Sequence, residues 1–146
     1  MKIYLDLCAI QRPLDTANQI RIVLESEAVL GIVTFCETGH AELLSSEALI
    51  YEGEQNSMPT RKEHTLAVLA NAKEIIKVTE KETERAINLT AFGIKSLDAL
   101  HVALAETGKA DYFCTCDDKL LRNSKKIRDL AVKVINPVDL VHEIEK

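Results

Sequence analysis

Three aspartates stand where separate parts of the chain can bring them together. Asp6 ends the strand-like run Lys2-Ile3-Tyr4-Leu5-Asp6, and Asp117 ends a second one, Tyr112-Phe113-Cys114-Thr115-Cys116-Asp117. Asp98 opens a helical segment, Ser96-Leu97-Asp98-Ala99-Leu100-His101-Val102-Ala103-Leu104-Ala105. Ligands of open α/β sheets bind outside the carboxyl ends of the strands, near the point where strand order reverses. Carboxylates delivered there from distant positions can share one hard cation, and Mg²⁺ needs only a few of them beside its waters. The expectation is a Mg²⁺- or Mn²⁺-dependent site, because such an ion stabilises charge on phosphoryl oxygens and makes water more acidic. Each acid also has an ordinary role: a turn for Asp6, a first-turn charge for Asp98, a helix cap for Asp117. Their joint placement at two strand ends and one helix start is what points to shared chemistry.

The elements that must position these acids alternate between strand and helix. After the first strand, Thr16 and Gln19 predict a capping box for a helix reaching about Thr38, with Ile20, Val23, Leu24, Ala28, Ile32 and Phe35 on its apolar face. Gly39 ends it. A strand over 41–45 follows, then a helix from Glu47 capped by Ser46. Residues 54–57 read as a turn, and Pro59 suits the first turn of the next helix. Residues 74–78 read as extended, Thr79 and Glu82 as a second capping box, and Gly93 as the end of that helix. The Asp98 helix runs to about Thr107, before Gly108. A strand over 111–116, a helix from Asp118, a strand over 132–135 and a last helix from Pro137 complete the pattern. This alternation predicts one domain over residues 1–146, a three-layer α/β/α fold around a mainly parallel central sheet.

Composition narrows the class. The 146 residues are 47% hydrophobic and 28% charged, as expected for an ordinary globular domain. Apolar stretches are broken well short of the roughly 18 residues of a membrane span, and the amino-terminal residues lack the pattern of a signal peptide, so the cytoplasm is the expected location. The net charge of −5 argues against a passive nucleic-acid coat. It is compatible with a carboxylate cluster that a cation neutralises. Cys8, Cys36, Cys114 and Cys116 lack the spacing of zinc or redox motifs and read as reduced, buried thiols.

With Asp6, the segment Leu97-Asp98-Ala99-Leu100-His101-Val102-Ala103 and the signature Thr115-Cys116-Asp117, the chain resembles a PIN domain. The resemblance runs from Met1 to Val134-Ile135-Asn136-Pro137. It implies a metal-dependent ribonuclease whose substrate is RNA, and a toxin of the VapC type with an antitoxin partner and a homodimeric state. It also asks for a glutamate on the helix after the second strand. Glu52, six residues after Ser46, matches that spacing. Glu47 is the competitor, about 140° around the helix from it. The implied ligand and catalytic set is therefore Asp6, Glu52, Asp98 and Asp117, and hydrolysis needs no protein nucleophile. The helical region 59–71 is the expected partner surface.

The sequence departs from this family at Leu7 and Cys8, where many relatives carry a small hydroxyl residue and a polar side chain. Cys8 is a poor ligand for a hard cation, which puts part of the support for Asp6 in doubt. Thr115 remains available to hydrogen-bond a carboxylate. Asp118 reads as a helix-start charge. His101 reads as a partly buried ring bonded to backbone, with a proton shuttle as the alternative. Lys119, Arg122, Lys125, Lys126 and Arg128 form a basic run; it is either a solvated helix face or a hold on RNA phosphates through Lys119 and Arg122. The rival function is a metal-free RNA-binding or protein-interaction module on the same fold. Haloacid-dehalogenase-like and response-regulator patterns are not met, since Cys8 stands where the former needs a second aspartate.

Overall fold

The computed structural model describes residues 1–146. Five short strands, β1 (Lys2–Leu5), β2 (Glu42–Ser46), β3 (Glu74–Ile76), β4 (Tyr112–Cys114) and β5 (Lys133–Ile135), form one sheet in the order β3-β2-β1-β4-β5. Every neighbouring pair is parallel. Parallel neighbours need long crossovers, and helices supply them. Helix α1 (Leu7–Gln11), a 3₁₀ turn at Arg12–Leu14 and α2 (Ile20–Glu37) join β1 to β2; α3 (Glu47–Glu54) and α4 (Pro59–Leu69) join β2 to β3. Helices α5 (Glu80–Thr90) and α6 (Ser96–Thr107) lead to β4, α7 (Asp118–Ser124) to β5, and α8 (Pro137–Glu145) closes the chain. The result is the expected three-layer α/β/α domain.

Ile3, Tyr4 and Leu5 of β1, Leu44 of β2, and Phe113 and Cys114 of β4 are completely buried. Strands covered on both faces read as continuous apolar runs, which is why these were visible in the sequence. The chain first winds outward from β1 through β2 to β3. It then crosses back to lay β4 on the other side of β1. Strand order therefore reverses between β1 and β4, and Asp6 and Asp117 follow those two strands.

The structure corrects the region after β1. Residues 7–11 form α1, which the sequence reading left out, with Asp6 as its cap. No Thr16–Gln19 capping box forms; α2 begins at Ile20 behind Gln19, which makes no side-chain cap. Ion pairs from Arg12 (3.0 Å) and Arg61 (2.8 Å) to Asp15 hold the intervening loop away from helical geometry. The apolar face of α2 also differs. Glu25, Val29, Ile32, Val33 and Cys36 turn inward, whereas Ile20 is 80% and Leu24 50% exposed. Arg12 and Arg21 draw Glu25 inward with ion pairs of 2.8 and 3.3 Å, and this sets the rotation of the helix. The Thr79–Glu82 capping box forms as expected, and Gly39 and Gly93 adopt the positive φ of helix-ending glycines. Gly108 serves close packing instead: a Cβ there would stand 2.4 Å from Ile76 Cδ1.

Two neighbouring serines at the end of β2 have opposite standing. Ser46 Oγ caps α3 by accepting from the Leu49 N–H at 3.1 Å. Ser45 Oγ is buried with no hydrogen-bond partner. A buried polar atom left unpaired destabilises, whereas loss of an N-cap removes about 1 kcal/mol or more. In chemical denaturation, Ser45→Ala is expected to leave stability unchanged or raise it, and Ser46→Ala to lower it by about 1–2 kcal/mol.

Candidate functional site

Asp6 continues the β1–β4 ladder, its N–H donating to Cys114 O at 2.9 Å. Its buried carboxylate is well supplied with donors. Leu7 N–H reaches Oδ1 at 2.9 Å, and Thr115 Oγ1 and Cys8 Sγ reach Oδ2 at 2.8 and 3.3 Å. Cys8 thus supplies the support that its identity had put in doubt. Burial pushes the Asp6 carboxyl up from its ordinary range, and the hydrogen bonds from Thr115, Cys8 and Leu7 offset part of that shift.

The Thr115 hydroxyl links two of the acids. While donating to Asp6 it accepts from the Asp117 N–H at 3.1 Å. Asp117 Oδ1 caps α7 through Lys119 N–H (2.9 Å) and Leu120 N–H (3.2 Å), so the capping residue is also one that lines the cleft. Asp98 lies in the first turn of α6 and makes no side-chain hydrogen bond or ion pair. Burial pushes it up to about 6, and the negative charges of Asp6, Asp117 and Glu52 add to the effect.

The two candidate glutamates of α3, Glu47 and Glu52, separate cleanly. Glu47 accepts the Val78 N–H at 2.7 Å and ties its helix to the segment after β3. Glu52 meets His101 Nε2 instead. His101 is buried and bonds to side chains, not to backbone as the sequence reading expected: its Nδ1 lies 2.7 Å from Tyr4 Oη.

Asp6, Glu52, Asp98 and Asp117 line one open cleft of about 350 Å³, together with Cys8, Arg12 and Cys116. No three histidine, cysteine or acidic side chains converge tightly enough to form a finished metal cage. The donor set nevertheless fits a hard divalent cation. It consists of four carboxylates, three of which (Asp6, Asp117 and Glu52) are held by hydrogen bonds and one of which, Asp98, is left free and proton-hungry by its acidic neighbours. Mg²⁺ takes one or two such carboxylates and keeps its remaining positions for water and phosphate.

The basic run divides. Lys119 joins Lys95 and Asn123 around a smaller cavity of about 100 Å³, which shares Asp98 and Asp117 with the acidic cleft. Arg122 is exposed on α7 and lines neither cavity. Asp118 forms a two-pronged pair with Arg21 at 2.7 Å for each bond, as befits a helix-start charge. Arg12, Arg21 and Lys95 were not singled out from the sequence.

Among solved structures, the fold is similar to a chain in the crystal structure of VapBC2 from Rickettsia felis bound to a DNA fragment from their promoter. That likeness has a TM-score of 0.60 and 16% identity, covering 93% of this chain and 98% of that one. It is also similar to PAE2754 from Pyrobaculum aerophilum, with a TM-score of 0.55 and 16% identity, covering 99% of this chain and 90% of that one. At such identity these likenesses speak for the fold alone. No curated protein matches the chain. The sequence does match the family model of the PIN domain across residues 3–126, a span that holds all four carboxylates, and the chain belongs to the PIN domain family.

Proposed function

We propose that the chain is a divalent-metal-dependent endoribonuclease. PIN domains are generally nucleases that use divalent metals. One observation carries the reading: carboxylates from four separate elements line a single cleft at the strand-order reversal of a parallel sheet. Asp6, Glu52, Asp98 and Asp117 are the proposed holders of one or two Mg²⁺ or Mn²⁺ ions. A bound ion would supply positive charge for the phosphoryl oxygens and acidify the hydrolytic water. The side chains of this protein do the rest. Thr115 and Cys8 keep Asp6 oriented, and Asp98, bonded to no other side chain, would offer its carboxylate to a cation, any proton on it passing to water. Lys119 and Lys95 offer charge to a flanking phosphate of single- or double-stranded RNA.

The proposed partners are an antitoxin protein and a second copy of the chain. The fold's likeness to a chain of the VapBC2 structure supports the first. Ile20, Val23, Leu24 and Leu30 are exposed on α2, and apolar side chains of this kind are what protein partners cover. No helix is long and apolar enough to cross a membrane.

The deciding assay incubates structured and unstructured RNAs with the protein in Mg²⁺, Mn²⁺ or chelator. Cleavage is expected with either ion and not with chelator, and Asp98→Asn is expected to lower it by about 100-fold or more. Absence of cleavage together with absence of Mn²⁺ binding heat would instead support the metal-free module.

Asp98 also makes a stability prediction for the metal-free protein. An acid held above its unfolded value favours folding fully while protonated. It gives up that contribution as pH rises from about 4 through about 6. At pH 7.5 without metal, Asp98→Asn removes this penalty. After discounting for the half-exposed setting, the gain is about 1 kcal/mol, or a melting temperature about 3 °C higher. The gain should shrink toward zero at pH 4; a variant equally or less stable at pH 7.5 contradicts the charge argument.

A further inference from the structure

Glu52 reaches the cleft at the end of a hydrogen-bonded chain that begins at the cap of its own helix. Ser46 Oγ accepts from Leu49 N–H at 3.1 Å and lies 2.7 Å from Tyr4 Oη. Tyr4 Oη lies 2.7 Å from His101 Nδ1, and His101 Nε2 meets Glu52 Oε1. Ser46 and Tyr4 are 0% exposed and His101 1%, so solvent does not compete for these groups.

Counting protons gives the chain a direction. A carboxylate only accepts, so His101 Nε2 carries the hydrogen shared with Glu52. A ring with a single N–H then leaves Nδ1 as acceptor, and Tyr4 donates to it. The Tyr4 oxygen accepts from the Ser46 hydroxyl, which accepts in turn from Leu49. Every hydrogen has an acceptor. A doubly protonated ring would reverse the order: Tyr4 would donate to Ser46, and the Ser46 hydrogen would sit buried with nowhere to go.

We infer that Tyr4 and His101 are positioning residues that hold Glu52 at the cleft, the Nε2–H of His101 donating to Glu52 while the Tyr4 hydroxyl donates to Nδ1 and fixes the ring behind it. Glu52 has a flexible side chain and sits in the second turn of an eight-residue helix. The relay ties that carboxylate back to the amino-terminal cap of α3 by way of β1 and α6. Only Oε1 is engaged, and Oε2 has no protein partner. The carboxylate is thus held by one oxygen while the other is left for a ligand, the usual arrangement behind a metal-binding side chain. The functional meaning rests on reading the cleft as a divalent-cation site; the tautomer does not.

Tyr4→Phe tests the relay with the least disturbance, because it removes one hydroxyl and keeps the ring stacked on Phe113 at 5.3 Å between centroids. Long-range ¹H–¹⁵N spectra of the metal-free protein at pH 7.5 should show the His101 ring as the Nε2–H tautomer with a hydrogen-bonded Nδ1, and in Tyr4→Phe an Nδ1 resonance shifted to that of a nitrogen without a donor. Calorimetry with Mn²⁺ should show affinity reduced about 10-fold in Tyr4→Phe. His101→Gln, which keeps an N–H donor for Glu52, should bind more tightly than His101→Leu. An Nδ1–H or doubly protonated ring in the native protein overturns the inference. So does a folded Tyr4→Phe that binds Mn²⁺ within twofold of the native protein. Native protein that takes up no Mn²⁺ sinks the divalent reading of the cleft, and the ring spectrum alone then decides the relay.

Discussion

Mutual repulsion among carboxylates is the constraint around which this molecule is organised. Four acids, two at the caps of α1 and α7 and one each on α3 and α6, share the walls of one cleft, and the charges of three of them help to raise the fourth, Asp98. Such an arrangement is destabilising in an empty protein. Natural chains retain unfavourable charge of this sort where function requires it. The fold tolerates it by giving most of the acids a structural occupation as well: Asp6 caps α1, Asp117 caps α7 and Glu52 terminates a buried relay.

Those dual roles follow from the topology. A parallel sheet sends every strand toward the same edge, and each strand is followed there by a turn into a helix. The first residues past a strand are therefore natural N-caps, where an aspartate oxygen can take up free backbone N–H groups. At the β1–β4 junction two such positions are adjacent, and Thr115 joins them by bonding Asp6 with its hydrogen and the Asp117 amide with its oxygen. Cap and cluster are alternative descriptions of the same residues. The ordinary and the chemical explanations weighed for each aspartate were never exclusive.

Much of this was legible in the sequence, and the failures have physical causes. Buried parallel strands announced themselves as short apolar runs, and helix ends announced themselves through Gly39, Gly93 and the Thr79–Glu82 box. The start of α2 was misplaced because a capping pattern is a local signal, and ion pairs to Asp15 from nearby Arg12 and distant Arg61 outweighed it. The rotation of α2 was misread because Glu25, a charged residue, takes an inward position with two arginines as partners. Helix α1 was missed because five residues carry too little periodicity to register.

The identity of the acids, their order along the chain and their positions next to strand and helix ends were properties of the sequence, since these depend on residue type and short-range pattern. What those acids touch was not. That Cys8 supports Asp6, that Glu47 is occupied by Val78 while Glu52 meets His101, and that Tyr4 stands behind that histidine were decided by the folded chain. Each of these contacts except the Cys8–Asp6 bond joins residues at least 31 positions apart. Hydrogen bonds of that span exist only after strand order, helix rotation and burial have been settled together, and no local pattern encodes them.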